Sequence, residues 1–134
     1  EAFASDAPVI IPSPSFVQVG GKMLAYERKK MLRAAYPVRQ EFSNPAGFLQ
    51  GGYITTLLDD TFGPLSYLSA GKPAVTLNLS TTFIRPVPVS EEYLVVEALV
   101  VSRGRRVITM QGSVETPRGK LVATASSINQ VMEP

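Results

Sequence analysis

Histidine and cysteine are both absent from the 134 residues of this chain. Their absence excludes Ser-His-Asp and Cys-His hydrolysis, zinc sites built from Cys and His, disulfide scaffolds and acid-base catalysis by histidine pairs. A catalyst with this composition must therefore use carboxylates, hydroxyls, amides, amines or backbone groups. We expect no metal site.

Long apolar runs and a strong excess of one charge are missing as well. No run approaches the roughly 18 apolar residues of a membrane span, and no basic start precedes an apolar segment as in a complete secretory signal. Thirteen basic against eleven acidic residues give a formal net charge of +2, too small to favour nucleic acid but compatible with an anionic small ligand. We expect a cytoplasmic protein that binds neither membrane nor nucleic acid.

The length suits a single domain with one core, because two ordinary domains would need a longer chain. Residues 1–15 contain Ala-Pro and Pro-Ser-Pro, and we interpret them as an irregular N-terminal leader before a domain over 16–134. Apolar residues between 16 and 42 predict two strands or a hairpin. Residues 43–47, Ser-Asn-Pro-Ala-Gly, predict a loop.

One helix is predicted from roughly Gly52 to Ser69, because apolar residues recur there at helical spacing. Gly71 and Pro73 then end it. The rest of the chain predicts four strands, over residues 74–84, 92–103, 106–116 and 120–130. We expect an α+β fold in which five or six mostly antiparallel strands wrap around the single helix, since this arrangement buries the helix most completely.

Asp59 and Asp60 interrupt the apolar and hydroxyl-rich sequence of the predicted helix. Burying a carboxylate without a partner is costly, so at least one of them should face a cleft, a partner or water. Successive helix residues point about 100° apart, so one can be functional while the other is merely satisfied. From the residues alone, a solvated helix face explains the pair equally well.

Gly51 and Gly52 lead into this helix. Backbone N–H groups at a helix start are unpaired and carry the positive end of the helix dipole, which suits polarising a carbonyl oxygen or holding an oxyanion. The Gly51 N–H is the natural donor. From the residues alone, close packing or a turn is the more common reason for such a glycine pair.

The residues from Asn44 to Asp59 resemble the motif of a known family, the phenylacetate-pathway-like thioesterases of the hotdog fold. That motif is Asn-x-x-Gly-x-x-His-Gly-Gly, followed by an apolar helix with Asp nine residues after the His. This sequence has residues at those spacings: Asn44, Gly47, Gln50, Gly51, Gly52 and Asp59. The resemblance continues through 84–86, 102–105 and 119–123, and so covers about residues 30–130.

This resemblance implies a hotdog fold and an acyl-CoA thioesterase acting on a small or medium acyl group, with aromatic groups among the candidates. It implies no cofactor, because coenzyme A is part of the substrate. Subunits of this family join their sheets edge to edge as homodimers and often pair again into homotetramers, with the active site at the dimer interface. The Gly51 N–H would polarise the thioester carbonyl, Asn44 would place substrate or water, and Asp59 of the partner subunit would act as base or nucleophile.

Four further residues are candidates for the site. Thr76 lies ten residues before Pro86, where relatives often carry a hydroxyl that helps to hold the water. Arg85, Arg103 and Arg105 are candidates for the phosphates of coenzyme A, because Arg binds phosphate in a bidentate way. A solvated edge explains these arginines equally well.

Helix geometry supports a site shared by two subunits. Gly51 and Asp59 are eight residues apart, which at about 1.5 Å per residue separates them by roughly 12 Å along one helix. They cannot both touch one thioester carbon. If both act, Asp59 must meet Gly51 of another chain.

Gln50 is also a candidate catalytic residue, because it stands where the family motif usually has His. Glutamine donates and accepts hydrogen bonds but cannot shuttle a proton near neutral pH. A non-catalytic hotdog protein that binds acyl-CoA or lipid therefore stays the alternative, whereas a hotdog dehydratase is disfavoured because those relatives generally use a His. An apolar pocket could be lined by several residues that core packing explains better: Phe48, Leu49, Tyr53, Leu57 and Phe83.

Overall fold

Six strands and one long helix account for most of the residues that the computed structural model describes, 12–132. The elements in chain order are α1 Pro14–Gln18, β1 Lys22–Glu27, β2 Met31–Pro37, a 3-10 helix Gln40–Phe42, α2 Gly51–Ala70, β3 Ala74–Phe83, β4 Tyr93–Arg103, β5 Val107–Glu115 and β6 Leu121–Val131. The strands form one antiparallel sheet in the order β1-β2-β4-β5-β6-β3. The predicted α+β architecture is confirmed, with six strands against one long helix.

The prediction was wrong at the N-terminal end of the domain. Residues from Phe16 onward were predicted to be strand-like, but Pro14–Gln18 form the short helix α1. The Ser13 hydroxyl oxygen caps this helix by accepting a hydrogen bond from the Phe16 N–H at 3.1 Å. The predicted leader therefore ends in ordered structure, while residues 1–11 lie outside the described part of the chain.

Helix α2 begins and ends close to the predicted positions. Gln50 is its N-cap residue in an extended conformation, and Gly71 ends it with a left-handed backbone (φ 71°) and an N–H that bonds to the Tyr67 carbonyl oxygen. Pro64 lies inside the helix and has no N–H to donate to the carbonyl of Asp60. The regular helical hydrogen bond to the Asp60 carbonyl oxygen is therefore missing from this turn of α2.

The core fills the space between α2 and the concave face of the sheet. Leu57, Leu58, Phe62 and Leu65 of α2 are almost completely buried, and they pack with inward residues of β4 and β5 that are equally buried: Leu94, Val96, Ala98, Ile108, Met110 and Val114. This packing fixes the rotation of the helix about its axis. Asp59 is consequently exposed and Asp60 buried.

Within the described residues, strand β3 forms one edge of the sheet and pairs with β6 alone. It exposes large apolar side chains, with Val75 46% and Leu77 57% accessible, and Phe83 is 49% accessible at its end. A long apolar edge strand with unpaired backbone groups is a ready surface for pairing with another chain. Within residues 12–132, no helix is both long enough and apolar enough to cross a membrane.

Candidate active site

A cavity of about 550 Å³ lies beside the C-terminal half of α2, between that helix, α1 and the start of β3. Its wall is mostly apolar and includes Phe16, Pro64 and Tyr67. Asp59 and Asp60 are its acidic lining residues. An apolar cavity with a few polar groups is the usual form of a small-molecule site.

Asp59 and Thr76 meet at this cavity. The Thr76 hydroxyl donates a hydrogen bond to Oδ1 of Asp59 at 3.0 Å, and both side chains line the cavity. Thr76 lies near the start of β3, directly opposite Asn129 of β6 in the strand register. The structure thus brings together two residues that the sequence analysis singled out separately.

Asp60 has a different environment from its neighbour. It is 9% exposed, and its Oδ2 accepts a hydrogen bond from the Ser15 hydroxyl at 2.7 Å. Loss of solvent raises the pKa of Asp60, and the negative charge of Asp59 adds to that rise, while the Ser15 hydrogen bond opposes it. Asp60 therefore ties α1 to α2, whereas Asp59 faces the open side of the cavity.

Asn44 shapes the loop that leads into α2. Its side-chain oxygen accepts hydrogen bonds from the N–H groups of Ala46 and Phe48, both at 3.0 Å. This turn is stabilised further by the Asn44 N–H, which donates to the Phe48 carbonyl oxygen at 2.7 Å. The side-chain oxygen of Asn44 is thereby committed to the loop, and its amide NH₂ group is left as the donor.

The start of α2 presents open donors. The Gln50 side chain forms no capping hydrogen bond, and within residues 12–132 the N–H groups of Gly51 and Gly52 donate to no backbone or side-chain acceptor. A Cβ atom at Gly51 would lie 3.0 Å from Cζ of Phe83, so the Phe83 ring flanks this end of the helix. The Gly51 N–H is therefore available to an oxyanion.

One chain does not bring Gly51 and Asp59 together. Gly51 lies against Phe83 at the end of β3, whereas Asp59 contacts Thr76 near the start of the same strand. The eight-residue separation along α2 is about 12 Å. Both halves of the predicted site thus flank the exposed edge of the sheet at different points along it.

The three arginines fall into two separate places. Nε of Arg85 donates to the Leu121 carbonyl oxygen at 3.1 Å, and Nη1 of Arg103 donates to the Ser69 carbonyl oxygen at 2.8 Å, near the C-terminus of α2. Arg105 is exposed in the β4–β5 turn. Arg85 follows the end of β3 that pairs with Ala123, whereas Arg103 pairs with Ile108 opposite Asn129. Six residues of β6, about 20 Å, separate these two ends.

Several residues of this cavity were not predicted from the sequence. Ser15 was assigned to the leader, and Asn129 was not singled out, yet both line the cavity. The available signal was a pair of polar residues, Ser127 and Asn129, at inward positions of β6. The predicted pocket residues do not line this cavity, and Leu49, Tyr53 and Leu57 belong to the core instead.

Comparison with known proteins gives a family for this geometry. The family model described as the thioesterase superfamily matches residues 46–123. A comparison with curated proteins finds no match. Among solved structures, the chain is similar to a putative thioesterase, a phenylacetic acid degradation-related protein from Ralstonia eutropha JMP134, at 34% identity and a TM-score of 0.80 over 90% of this chain and 92% of that chain.

Two more distant solved structures share the same architecture. The chain is similar to a variant of the phenylacetic acid degradation protein PaaI from Thermus thermophilus, at 25% identity and a TM-score of 0.80 over 90% of this chain and 100% of that chain. It also resembles a thioesterase from Haemophilus influenzae, at 22% identity and a TM-score of 0.81 over 91% of this chain and 85% of that chain. The last likeness bears on the fold alone.

Proposed function

The chain belongs to the thioesterase superfamily and is a hotdog-fold thiolester hydrolase, and from this premise we propose that it hydrolyses a small or medium acyl-CoA with Asp59 as the central carboxylate. The observation that carries the proposal is the place of Asp59 at a mostly apolar cavity. Its Oδ1 is held by Thr76, which leaves Oδ2 for the reaction. A cavity of about 550 Å³ is in the ordinary range for a small-molecule site.

Asp59 can act in two ways with this geometry. As a general base, it takes a proton from a water molecule while the water oxygen attacks the thioester carbonyl carbon, and the C–S bond then breaks to release the coenzyme A thiolate, which is protonated. As a nucleophile, Oδ2 attacks the carbonyl carbon, the thiolate leaves, and water hydrolyses the resulting anhydride. Both routes consume one water and yield an acid and a thiol.

The proposed oxyanion donor is the Gly51 N–H of a partner subunit. Each attack places negative charge on the carbonyl oxygen, and an open N–H at a helix start is suited to hold it. Antiparallel pairing of two β3 edges would set the Thr76 end of one strand beside the Phe83 end of the other. Asp59 of one subunit would then approach Gly51 of the other, which supports a homodimer; a homotetramer and the cytoplasmic location stay predictions.

The same pairing suggests how the arginines meet coenzyme A. Within one chain, Arg85 lies at the opposite end of the sheet from Arg103 and Arg105. In the antiparallel dimer, Arg85 of one subunit would lie at the same end as Arg103 and Arg105 of the other. Arg103 already uses a terminal nitrogen, Nη1, for the C-terminal turn of α2, whereas Arg85, within the described residues, uses only Nε for the Leu121 carbonyl oxygen. Arg85 and Arg105 are therefore the better candidates for phosphate.

Thiol release from a panel of acyl-CoA substrates tests the proposed function. Asp59→Asn should lower kcat by about 10²–10⁴-fold, since it removes the base or nucleophile. Glu27→Gln, on the exposed strand β1, serves as the matched control and should keep wild-type turnover. Unchanged turnover in Asp59→Asn would remove Asp59 from the mechanism.

Gln50 gives the binding alternative a specific basis, because it replaces the motif His and cannot shuttle a proton. Calorimetry with intact acyl-CoA separates the two functions. A binding protein would show heat of binding and no thiol release from any acyl-CoA or acyl-carrier protein. That combination would replace the thioesterase proposal.

A further inference from the structure

Two polar residues occupy inward positions of β6 where apolar residues would be ordinary. Ser127 is completely buried and Asn129 is 1% exposed, whereas Ile128 between them faces outward and is 38% exposed. Buried polar side chains are retained at a cost unless they are hydrogen-bonded. Hydrophobic packing of the core therefore does not explain why Ser127 and Asn129 are polar, and their hydrogen bonds must be considered.

The hydrogen bonds of the pair lead to Asp59. The Ser127 hydroxyl bonds to Oδ1 of Asn129, and Nδ2 of Asn129 donates to the Thr76 oxygen at 3.5 Å, the long end of the range. Thr76 in turn donates to Asp59 at 3.0 Å. Thr76 and Asn129 are direct cross-strand partners, and the β3 register shifts immediately after Thr76. Such an irregularity redirects a side chain.

The chemistry of these groups allows only one donor-to-acceptor order along this series of hydrogen bonds. An amide oxygen only accepts, so the Ser127 hydroxyl is the donor to Asn129; an amide nitrogen only donates, so the Thr76 oxygen is the acceptor from Asn129. The single Thr76 proton then remains for the carboxylate of Asp59, which can only accept when ionised. A reversed amide would turn its oxygen to Thr76 and compete with Asp59 for that proton.

We propose that Asn129 is a positioning residue for thioester hydrolysis, which keeps the Thr76 hydroxyl donating to Oδ1 of Asp59 so that Oδ2 points to the reacting carbonyl or water. This inference rests on the proposed role of Asp59. Asn129 acts through Thr76 and needs no contact with the substrate. Ser127 sets the orientation of the Asn129 amide.

Substitution of Asn129 tests the inference through kcat and KM measured separately. Asn129→Leu removes the amide at similar volume and should lower kcat about tenfold with KM changed less than about twofold, the scale of one oriented hydrogen bond to a charged group. Gln111→Leu is the matched control, because Gln111 is an exposed amide on β5, away from the β3 edge, and does not line the cavity. It should keep wild-type kcat. Asn129→Ser, which also lacks the amide, should reproduce the loss if Asn129→Leu folds poorly.

A double-mutant cycle separates positioning from general support of the fold. In a Thr76→Val background, Asn129→Leu should lower kcat by less than about twofold further, because its effect passes through Thr76. An additional loss of about tenfold, or wild-type kcat in both Asn129 variants, overturns the inference. Asp59→Asn, measured in the same assay, distinguishes failure of the Asn129 inference from failure of the proposed function. If Asp59→Asn keeps full turnover, or the parent protein has none, the proposed function fails and the positioning role of Asn129 fails with it.

Discussion

Asp59 and Asp60 are neighbours in the chain but occupy opposite environments. The packing of Leu58 and Phe62 against the sheet turns Asp59 toward solvent and the cavity mouth, and it turns Asp60 beneath α1. Thr76 holds one oxygen of Asp59, and Ser15 holds one oxygen of Asp60. The same residue type thus supplies the proposed reactive carboxylate at one position and an anchor for α1 at the next.

The buried carboxyl of Asp60 should give the folded protein a specific pH dependence. Burial raises its pKa above the ordinary value of 3.8, so the folded chain binds this proton more tightly than the unfolded chain does. The contribution of this proton to the free energy of unfolding is fully present below pH 3.8 and is lost as pH rises through the raised pKa of Asp60. Asp60→Asn should therefore lose less stability over that rise than the wild-type protein.

Chemical denaturation at a series of pH values measures this effect. Glu115→Gln, at an exposed position of β5, is the control and should retain the wild-type slope of unfolding free energy against pH. Identical slopes in Asp60→Asn and the wild-type protein would contradict the interpretation of Asp60.

The Gly51 N–H can be removed without disturbing the helix. Proline suits the first helical position, because its missing N–H would have no helical partner there, and the extended conformation of Gln50 (ψ 138°) is compatible with a following proline. Gly51→Pro should lower kcat by about 10²–10³-fold, the effect of losing one oxyanion donor.

Gly51→Ala controls for the added side chain. This variant keeps the N–H, and its Cβ would lie 3.0 Å from the Phe83 ring. The Phe83 ring is half-exposed, so it has room to move away from the added methyl group. The kcat of Gly51→Ala should stay well above that of Gly51→Pro in the same thiol-release assay. Equal turnover in the two variants would show that the N–H is not the donor.

Helix α2 and strand β5 set the geometry at the level of elements. The backbone of Gly112 lies so close to α2 that a Cβ there would be 2.6 Å from Cζ of Phe62 and 3.2 Å from the Glu97 carbonyl oxygen. The absence of a side chain at Gly112 therefore lets α2 pack close to the sheet at this point. The depth of the helix decides where its outward residues, Asp59 among them, meet β3.

Gly112→Ala should destabilise the protein by about 1–3 kcal/mol, because the methyl group overpacks the contact between β5 and α2. Gly63→Ala is the matched comparison, since no atom of the described part of the chain lies within 4 Å of a Cβ at that helical position. It should stabilise by about 0.4–1 kcal/mol, because Ala lowers the entropy of the unfolded chain. Urea denaturation measures both changes, and a shift of the same sign in the two variants would contradict this packing.

The elements that could be predicted from the sequence are those with many periodic residues. The helix predicted for roughly 52–69 is observed as Gly51–Ala70, and the four later strands begin and end within one residue of the predictions. Helix α1 could not be predicted because five residues give no periodic pattern. Its stability comes from the Ser13 cap and from the buried Phe16 ring, which packs edge-on against Tyr36 at 5.6 Å.

The candidate site also has a part that could be predicted from the sequence and a part that could not. Asn44, Gly51 and Asp59 stand at motif spacing and could be found from the sequence. The contacts of Ser15 with Asp60 and of Asn129 with Thr76 join residues 45 and 53 positions apart. Such contacts depend on how α1 docks and how β3 pairs with β6, which no local pattern shows.

At the scale of the whole molecule, one subunit holds the two halves of the proposed site apart from each other. The open donors at Gly51 and the carboxylate of Asp59 both border the edge strand β3 but do not meet. The exposed apolar side chains of Val75 and Leu77 on that edge favour pairing with a second copy. A closed two-fold dimer would complete two equivalent sites at once.

Subunit complementation tests this shared site most directly. Asp59→Asn and Gly51→Pro are each assayed alone and then after the two proteins are unfolded together and refolded as a mixture. A mixed dimer has one site with both changes and one site with neither. A site shared by two subunits predicts recovery of about a quarter of wild-type thiol release, because half of randomly re-paired dimers are mixed and each has one intact site of two. A mixture no more active than the two variants measured separately would contradict an active site formed between subunits.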